Sequence, residues 1–268
     1  MLVAAAVCPC PPLLVPEVAA GAAAELDELR AACADAVGVL AASRPERLVV
    51  IGPAERPGRG VFAQGTAGSF HPFGVALDVT LGEPPASPPE ELSVPVLAGA
   101  GPADTALPDD VTLPGDVPRG EDRRSLPPSL AVAAWLLRGW RAAPVEGLGV
   151  GERLEQERCA TTGRAVAGSA DRVALLVMGD GSACRTVKAP GYLDERAVPF
   201  DAGVAAALAA ADTRALAALD PELAHALKAA GRAPWQVLAG AADGSGLGGE
   251  LLHESSPYGV GYFVAAWT

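Results

Sequence analysis

The sequence predicts an α/β protein, a single domain with a mainly parallel central sheet flanked by helices. Three observations carry that prediction. Residues 2–7 (LVAAAV), 47–52 (RLVVIG) and 172–178 (RVALLVM) are short apolar runs without polar alternation, the pattern of strands covered on both faces. Alanine-rich segments with apolar residues at helical spacing separate them, and strands that alternate with helices pair in parallel. The third run empties into Gly179-Asp180-Gly181-Ser182, a small polar turn. In open α/β sheets the crevice at the carboxyl ends of the strands is where ligands bind.

The first strand, residues 2–7, stops at Cys8-Pro9-Cys10-Pro11-Pro12, where the prolines end ladder pairing. A helix is expected over residues 18–43, with Leu26, Leu29, Cys33, Val37 and Leu40 on one face and Pro45 beyond its end. The second strand, 47–52, leads into a loop at 53–58, and 75–81 (VALDVTL) reads as a further strand. Residues 82–122 are rich in Pro, Asp and Gly and read as an irregular excursion, with a short strand near 94–97. A helix over 126–142 starts on prolines, whose missing N–H groups cost nothing there. A short strand near 144–150 and a helix over 152–169 precede the central strand. Three or four short helices fill 200–242, with breaks near Asp212, Asp220-Pro221 and Gly231, and a last strand covers 259–267.

Composition narrows the function classes. The net charge of −12 over 268 residues disfavours nucleic acid and anionic membranes, both of which select basic surfaces. No run is long and apolar enough to span a bilayer, and the N-terminus has no basic region of the kind a signal peptide carries. Five cysteines, an odd and scattered set, suggest reduced thiols and a cytoplasmic protein.

Candidate chemistry sits at the strand ends. Asp180 and Ser182 are placed to orient a polar ligand, or to close a tight turn through local backbone bonds. Cys8 and Cys10 lack the second cysteine pair of a structural zinc site and read as small half-buried thiols. Cys184 beside Arg185 is either a thiol with a depressed pKa or a small loop residue. Of the three histidines, His225 lies in an alanine-rich helix, and His71 and His253 are the ones able to line a site. No histidine pair has helical metal-ligand spacing.

Several blocks, taken in order, resemble the catalytic-subunit family of class III extradiol (ring-cleaving) dioxygenases, the LigB-like superfamily. They are Pro9-Cys10-Pro11-Pro12-Leu13-Leu14-Val15-Pro16-Glu17, Val49-Val50-Ile51-Gly52-Pro53, Gly179-Asp180-Gly181-Ser182, Pro190-Gly191-Tyr192, Phe200-Asp201, and the closing block from Glu254 to Tyr262. More closely, the chain is similar to an alanine-rich actinobacterial branch of that superfamily. The resemblance implies Fe(II) held by two histidines and a glutamate, with a further histidine as acid/base. In this sequence Cys10, Ala54 and Ala183 stand where the histidines are expected, and Glu254 alone matches a ligand position. One carboxylate does not retain Fe(II), and loss of the acid/base costs on the order of a hundredfold or more.

The resemblance therefore implies a degenerate member without extradiol cleavage. No cofactor is expected. Its crevice, lined by Cys10, Glu55, Asp180, Ser182, Cys184, His253, Glu254 and Tyr258, would bind a small molecule or a protein partner. A metal-dependent alternative keeps either ring-cleaving iron chemistry with unorthodox ligands or a zinc site built from Cys10, Glu254 and His71 or His253, with water activated for hydrolysis. The family's two-subunit habit also raises a homo-oligomer, for which Trp135, Trp140 and Trp235 are interface or core candidates.

Overall fold

A computed structural model describes residues 1–83 and 124–268. The excursion expected over 82–122 is covered only to residue 83, so the short strand near 94–97 lies outside the described residues. In chain order the elements are β1 (Leu2–Cys8), α1 (Pro16–Ala19), α2 (Asp27–Ala42), β2 (Arg47–Pro53), β3 (Gly60–Phe62), β4 (Ala67–Ser69) and β5 (Asp78–Thr80). Then follow α3 (Pro128–Leu136), β6 (Val145–Val150), α4 (Gln156–Ala167), β7 (Val173–Met178), α5 (Ala197–Ala209), α6 (Thr213–Ala217), α7 (Pro221–Ala226), α8 (Arg232–Ala242), β8 (Gly249–Ser255) and β9 (Tyr262–Trp267).

One sheet of seven strands runs in the order β3-β6-β2-β7-β1-β9-β8, and β4 and β5 form a separate ribbon. The centre, β6-β2-β7-β1, is parallel, with Ile51 opposite both Leu148 and Val177, and Val7 also opposite Val177. The edges are antiparallel: β3 on β6, and the β8–β9 hairpin on β1. The sheet is thus mixed, with the expected parallel core.

Strand side chains alternate between two apolar layers, which is why the sequence shows continuous runs rather than alternation. Val7, Ile51, Leu175 and Val177 face α4 and the α5–α8 helices, meeting Val166, Val204, Leu208 and Trp235. Ala6, Val50, Leu176 and Met178 face α2 and α3, meeting Leu29, Cys33, Leu40 and Leu130. Each buried Leu or Val contributes about 1.5–3 kcal/mol by leaving water. Trp135, Trp140 and Trp235 all belong to these layers, Trp235 edge-on to Phe263 at 6.1 Å between ring centroids.

The structure moves several expected boundaries. The helix expected over 18–43 is a single α1 turn, a 3-10 stretch and then α2, with Ala20 at φ +49°. Residues 20–26 hold mostly alanine and glycine, so they offer the sheet no apolar stripe and tighten instead. The strand expected over 75–81 shortens to β5, and the last strand starts at Tyr262 because Gly259, at φ +76°, turns the chain before it. An edge strand not expected from the sequence, β8, forms from the mixed residues GELLHES and is only partly buried. The breaks among the late helices fall where expected: Asp212 and Asp220 cap α6 and α7 through their carboxylates, and Gly231 precedes α8.

Candidate ligand cavity at the strand ends

Because the four central strands are parallel, the loops that leave their carboxyl ends gather on one edge of the sheet. Between the ends of β2 and β6 and the start of α3 they leave a cavity of about 630 Å3. Its walls are largely apolar, from Pro53, Ala54, Pro57, Pro127 and Pro128. Its polar groups are Cys10, Glu55, Arg124, Ser125, Ser129 and Glu152.

Each polar group is placed by its element. Ser129, in the first turn of α3, donates from Oγ to the Pro53 carbonyl at 2.7 Å, tying that helix to the end of β2. A residue other than glycine at position 52 would set its Cβ 2.6 Å from that hydroxyl. Arg124 donates to the Arg59 carbonyl at 3.1 Å and lies 5.6 Å above the Phe62 ring centre. Glu152 follows β6 on a loop held from behind by Arg232, buried in α8, whose guanidinium donates to the carbonyls of Glu152 and Leu154 and to Gln236 Oε1. Glu55 and Glu152 are exposed at the rim, and neither carboxylate has a hydrogen-bond or ion-pair partner among the described residues.

Asp180 lies one bond behind the cavity. From the end of β7 its Oδ1 accepts the Cys10 N–H at 2.8 Å, which fixes the end of β1. Burial pushes its carboxyl up to about 6, against the opposing pull of that N–H. Burial, with the charges of Asp180 and Glu152, holds the Cys10 thiol well above its ordinary value, so Cys10 is a neutral thiol and no ready nucleophile. Burial, with the charge of Asp180, holds the Tyr262 phenol behind them well above its ordinary value.

Of the residues the sequence singles out, the structure brings Cys10, Glu55 and Asp180 together here. The rest lie elsewhere. Ser182 is fully buried, its N–H and Oγ donating to Asp201 at 2.8 and 2.7 Å, so it faces α5 rather than the cavity. Arg185 completes that cluster at 3.2 Å from Asp201. Gly181 lets the turn close over it, since a Cβ there would stand 2.9 Å from Asp201 Oδ1. Cys184 is buried in the layer opposite Cys10 and points its thiol at the Leu227 carbonyl. Its pKa is raised, not lowered as Arg185 suggested, because burial and the nearby Asp194 outweigh the cations.

His253, on the edge strand β8, bonds Ser255 Oγ at 2.9 Å, and Glu254 beside it is exposed. Tyr258, at φ +59°, donates to Glu25 at 2.9 Å, joining the β8–β9 connection to the segment before α2. Ala54 does line the cavity, at the position where the resemblance expects a histidine. His71 sits 3.8 Å from Asp78 at the surface, and His225 meets Arg153. No histidine lines the cavity, and among the described residues no three of His, Cys, Asp and Glu come together as a metal-holding group. A neutral thiol with carboxylates is a poor match for a two-histidine, one-carboxylate iron site.

Sequence reasoning missed Glu152, Arg124 and Ser129. Glu152 was legible in principle, since it follows an apolar run at a strand end as Glu55 nearly does. Reading residues 152–169 as helix hid it, whereas α4 starts only at Gln156.

Neither a family model nor a curated protein matches the chain. Among solved structures it is similar to the uncharacterized protein JW3007 from Escherichia coli K12, at 16% identity, 99% of each chain and a TM-score of 0.50. At that identity the likeness bears on the α/β architecture alone.

Proposed function

We propose that the chain is a degenerate member of the class III extradiol dioxygenase superfamily that keeps the crevice as a small-molecule binding site and has given up iron chemistry. The observation that carries this reading is the donor set of the cavity: Cys10 and Ala54 stand at expected histidine positions, and the charged groups lining the space are two carboxylates and an arginine. Apolar walls of this size suit the body of a small ligand. Glu55 and Glu152, without hydrogen-bond or ion-pair partners among the described residues, suit a protonated amine or strong hydrogen-bond donors on it.

Two assays test this. Benzylamine, an apolar ring bearing one ammonium group, should raise the unfolding temperature of the wild type, since a ligand that binds only the folded state stabilises it. The double variant Glu55→Gln, Glu152→Gln should lose that protection. After anaerobic loading with Fe(II), the protein should not open the ring of catechol; a ring-opened product at stoichiometric iron overturns the reading.

A further inference from the structure

Among the described residues eight large apolar side chains stand exposed, and five of them, Val187, Tyr192, Leu193, Val198 and Tyr258, come from two segments that touch. The Arg185 N–H donates to the Gly259 carbonyl at 3.1 Å, and a Cβ at Gly259 would lie 2.6 Å from that of Ala189. The turn that carries Tyr258 is thus seated against the loop that follows β7. Val198 continues the patch in the first turn of α5. Exposed apolar side chains scattered singly are ordinary, whereas a gathered set marks a contact surface.

The backbone holds this surface in an unusual way. Tyr192 and Tyr258 lie at φ +63° and +59°, and Lys228, whose Nζ donates to the Pro190 carbonyl at 3.3 Å, lies at +54°. Left-handed backbone at bulky residues costs energy, and such strain gathers where function needs it. Here it fixes two tyrosine rings at the surface, and rings give large contact area for little lost freedom.

Charge decides which partner fits. At one end of the patch Tyr258 donates to Glu25, with Glu28 following in the first turn of α2; both acids are exposed and neither has a cation partner among the described residues. At the other end Lys228 sits on Pro190, and Lys188 lies two residues before that proline. These are the chain's only lysines, and neither meets a carboxylate among the described residues. Arg185 and Arg196 nearby are already paired, with Asp201 and Asp194. Two copies of a chain of net charge −12 repel unless local charges are matched. A two-fold axis through the apolar middle provides that match, laying the acidic end of each copy on the basic end of the other, the self-complementarity that an isologous contact demands. We infer that this face is the interface of a symmetric dimer of the chain. The inference is independent of the reading of the cavity.

Sedimentation velocity at low ionic strength, over about 1–100 μM chain, tests it. The wild type should pass from monomer toward twice the monomer mass as concentration rises. Leu193→Glu should weaken association about tenfold or more. Lys228→Glu and Glu25→Lys should each weaken it several-fold, and the double variant should return to within about threefold of the wild type, because each reversed charge then meets its complement on the other copy. That recovery also shows that the single variants fail through charge and not through unfolding. A monomer at the highest concentration, a dimer indifferent to both Leu193→Glu and Lys228→Glu, or a double variant no better than the singles overturns the inference. A monomeric chain that cosediments with phosphatidylglycerol vesicles overturns it too, and assigns the face to a lipid surface.

Discussion

Asp180 and Asp201 flank the same Gly-rich turn and have opposite surroundings. Asp201 is fully buried and accepts from three donors, the N–H and Oγ of Ser182 and the guanidinium of Arg185. Asp180 accepts from one, the Cys10 N–H, and its neighbours across the cavity are further acidic groups. The first is a staple whose charge is consumed by the fold. The second belongs to a region where carboxylates are left short of partners, as binding sites require and stability does not. A polar residue after an apolar strand therefore has two possible fates, and a distant element decides between them.

That contrast is open to experiment, starting with the buried charge that serves the cavity from behind. Arg232→Ala should give the largest effect. It strands the carbonyls of Glu152 and Leu154 and the Gln236 amide oxygen in the interior, for a loss of about 3 kcal/mol or more in urea unfolding. Asp201→Ala comes next, at about 2–3 kcal/mol, because three donors lose their acceptor. A loss as small as that of a surface substitution would mean that the turn is held by its glycines alone.

Asp180→Asn should act in the opposite direction. The carboxyl is raised from 3.8 to about 6 in the folded chain, so the folded state binds its proton more tightly than the unfolded state does. Its contribution is present at low pH, is lost as pH climbs from about 4 through 6, and leaves a penalty at neutral pH. Asparagine keeps an acceptor for the Cys10 N–H without the charge. The variant should gain about 1–2 kcal/mol at pH 7 and show a flatter stability profile between pH 4 and 6. The smallest effect belongs to Glu55→Gln and Glu152→Gln, each within about 0.5 kcal/mol of the wild type in stability, since both side chains are exposed and have no hydrogen-bond or ion-pair partner among the described residues.

The fold was largely legible because each central strand is apolar on both faces, and Val173–Met178 leaves no other assignment. The edges were not. β8 carries Glu250, His253 and Glu254 among its apolar residues, so its strand character comes from pairing with β9 rather than from its own pattern. The site was legible in part. Cys10, Glu55 and Asp180 follow from the rule that ligands gather at parallel strand ends. Ser182 carries the same local signal, and its fate is set by Asp201, nineteen residues on in α5. Arg124 reaches the cavity from beyond the excursion, a contact that no local spacing announces.

The most direct test of the central claim is amide chemical-shift mapping of the protein titrated with benzylamine. The account predicts shifts at Cys10, Glu55, Gly58, Ser129 and Glu152, with the amides of Ser182, Cys184 and Asp201 unmoved. Shifts centred on Ser182 and Asp201, or none at the cavity residues under saturating amine, would contradict it.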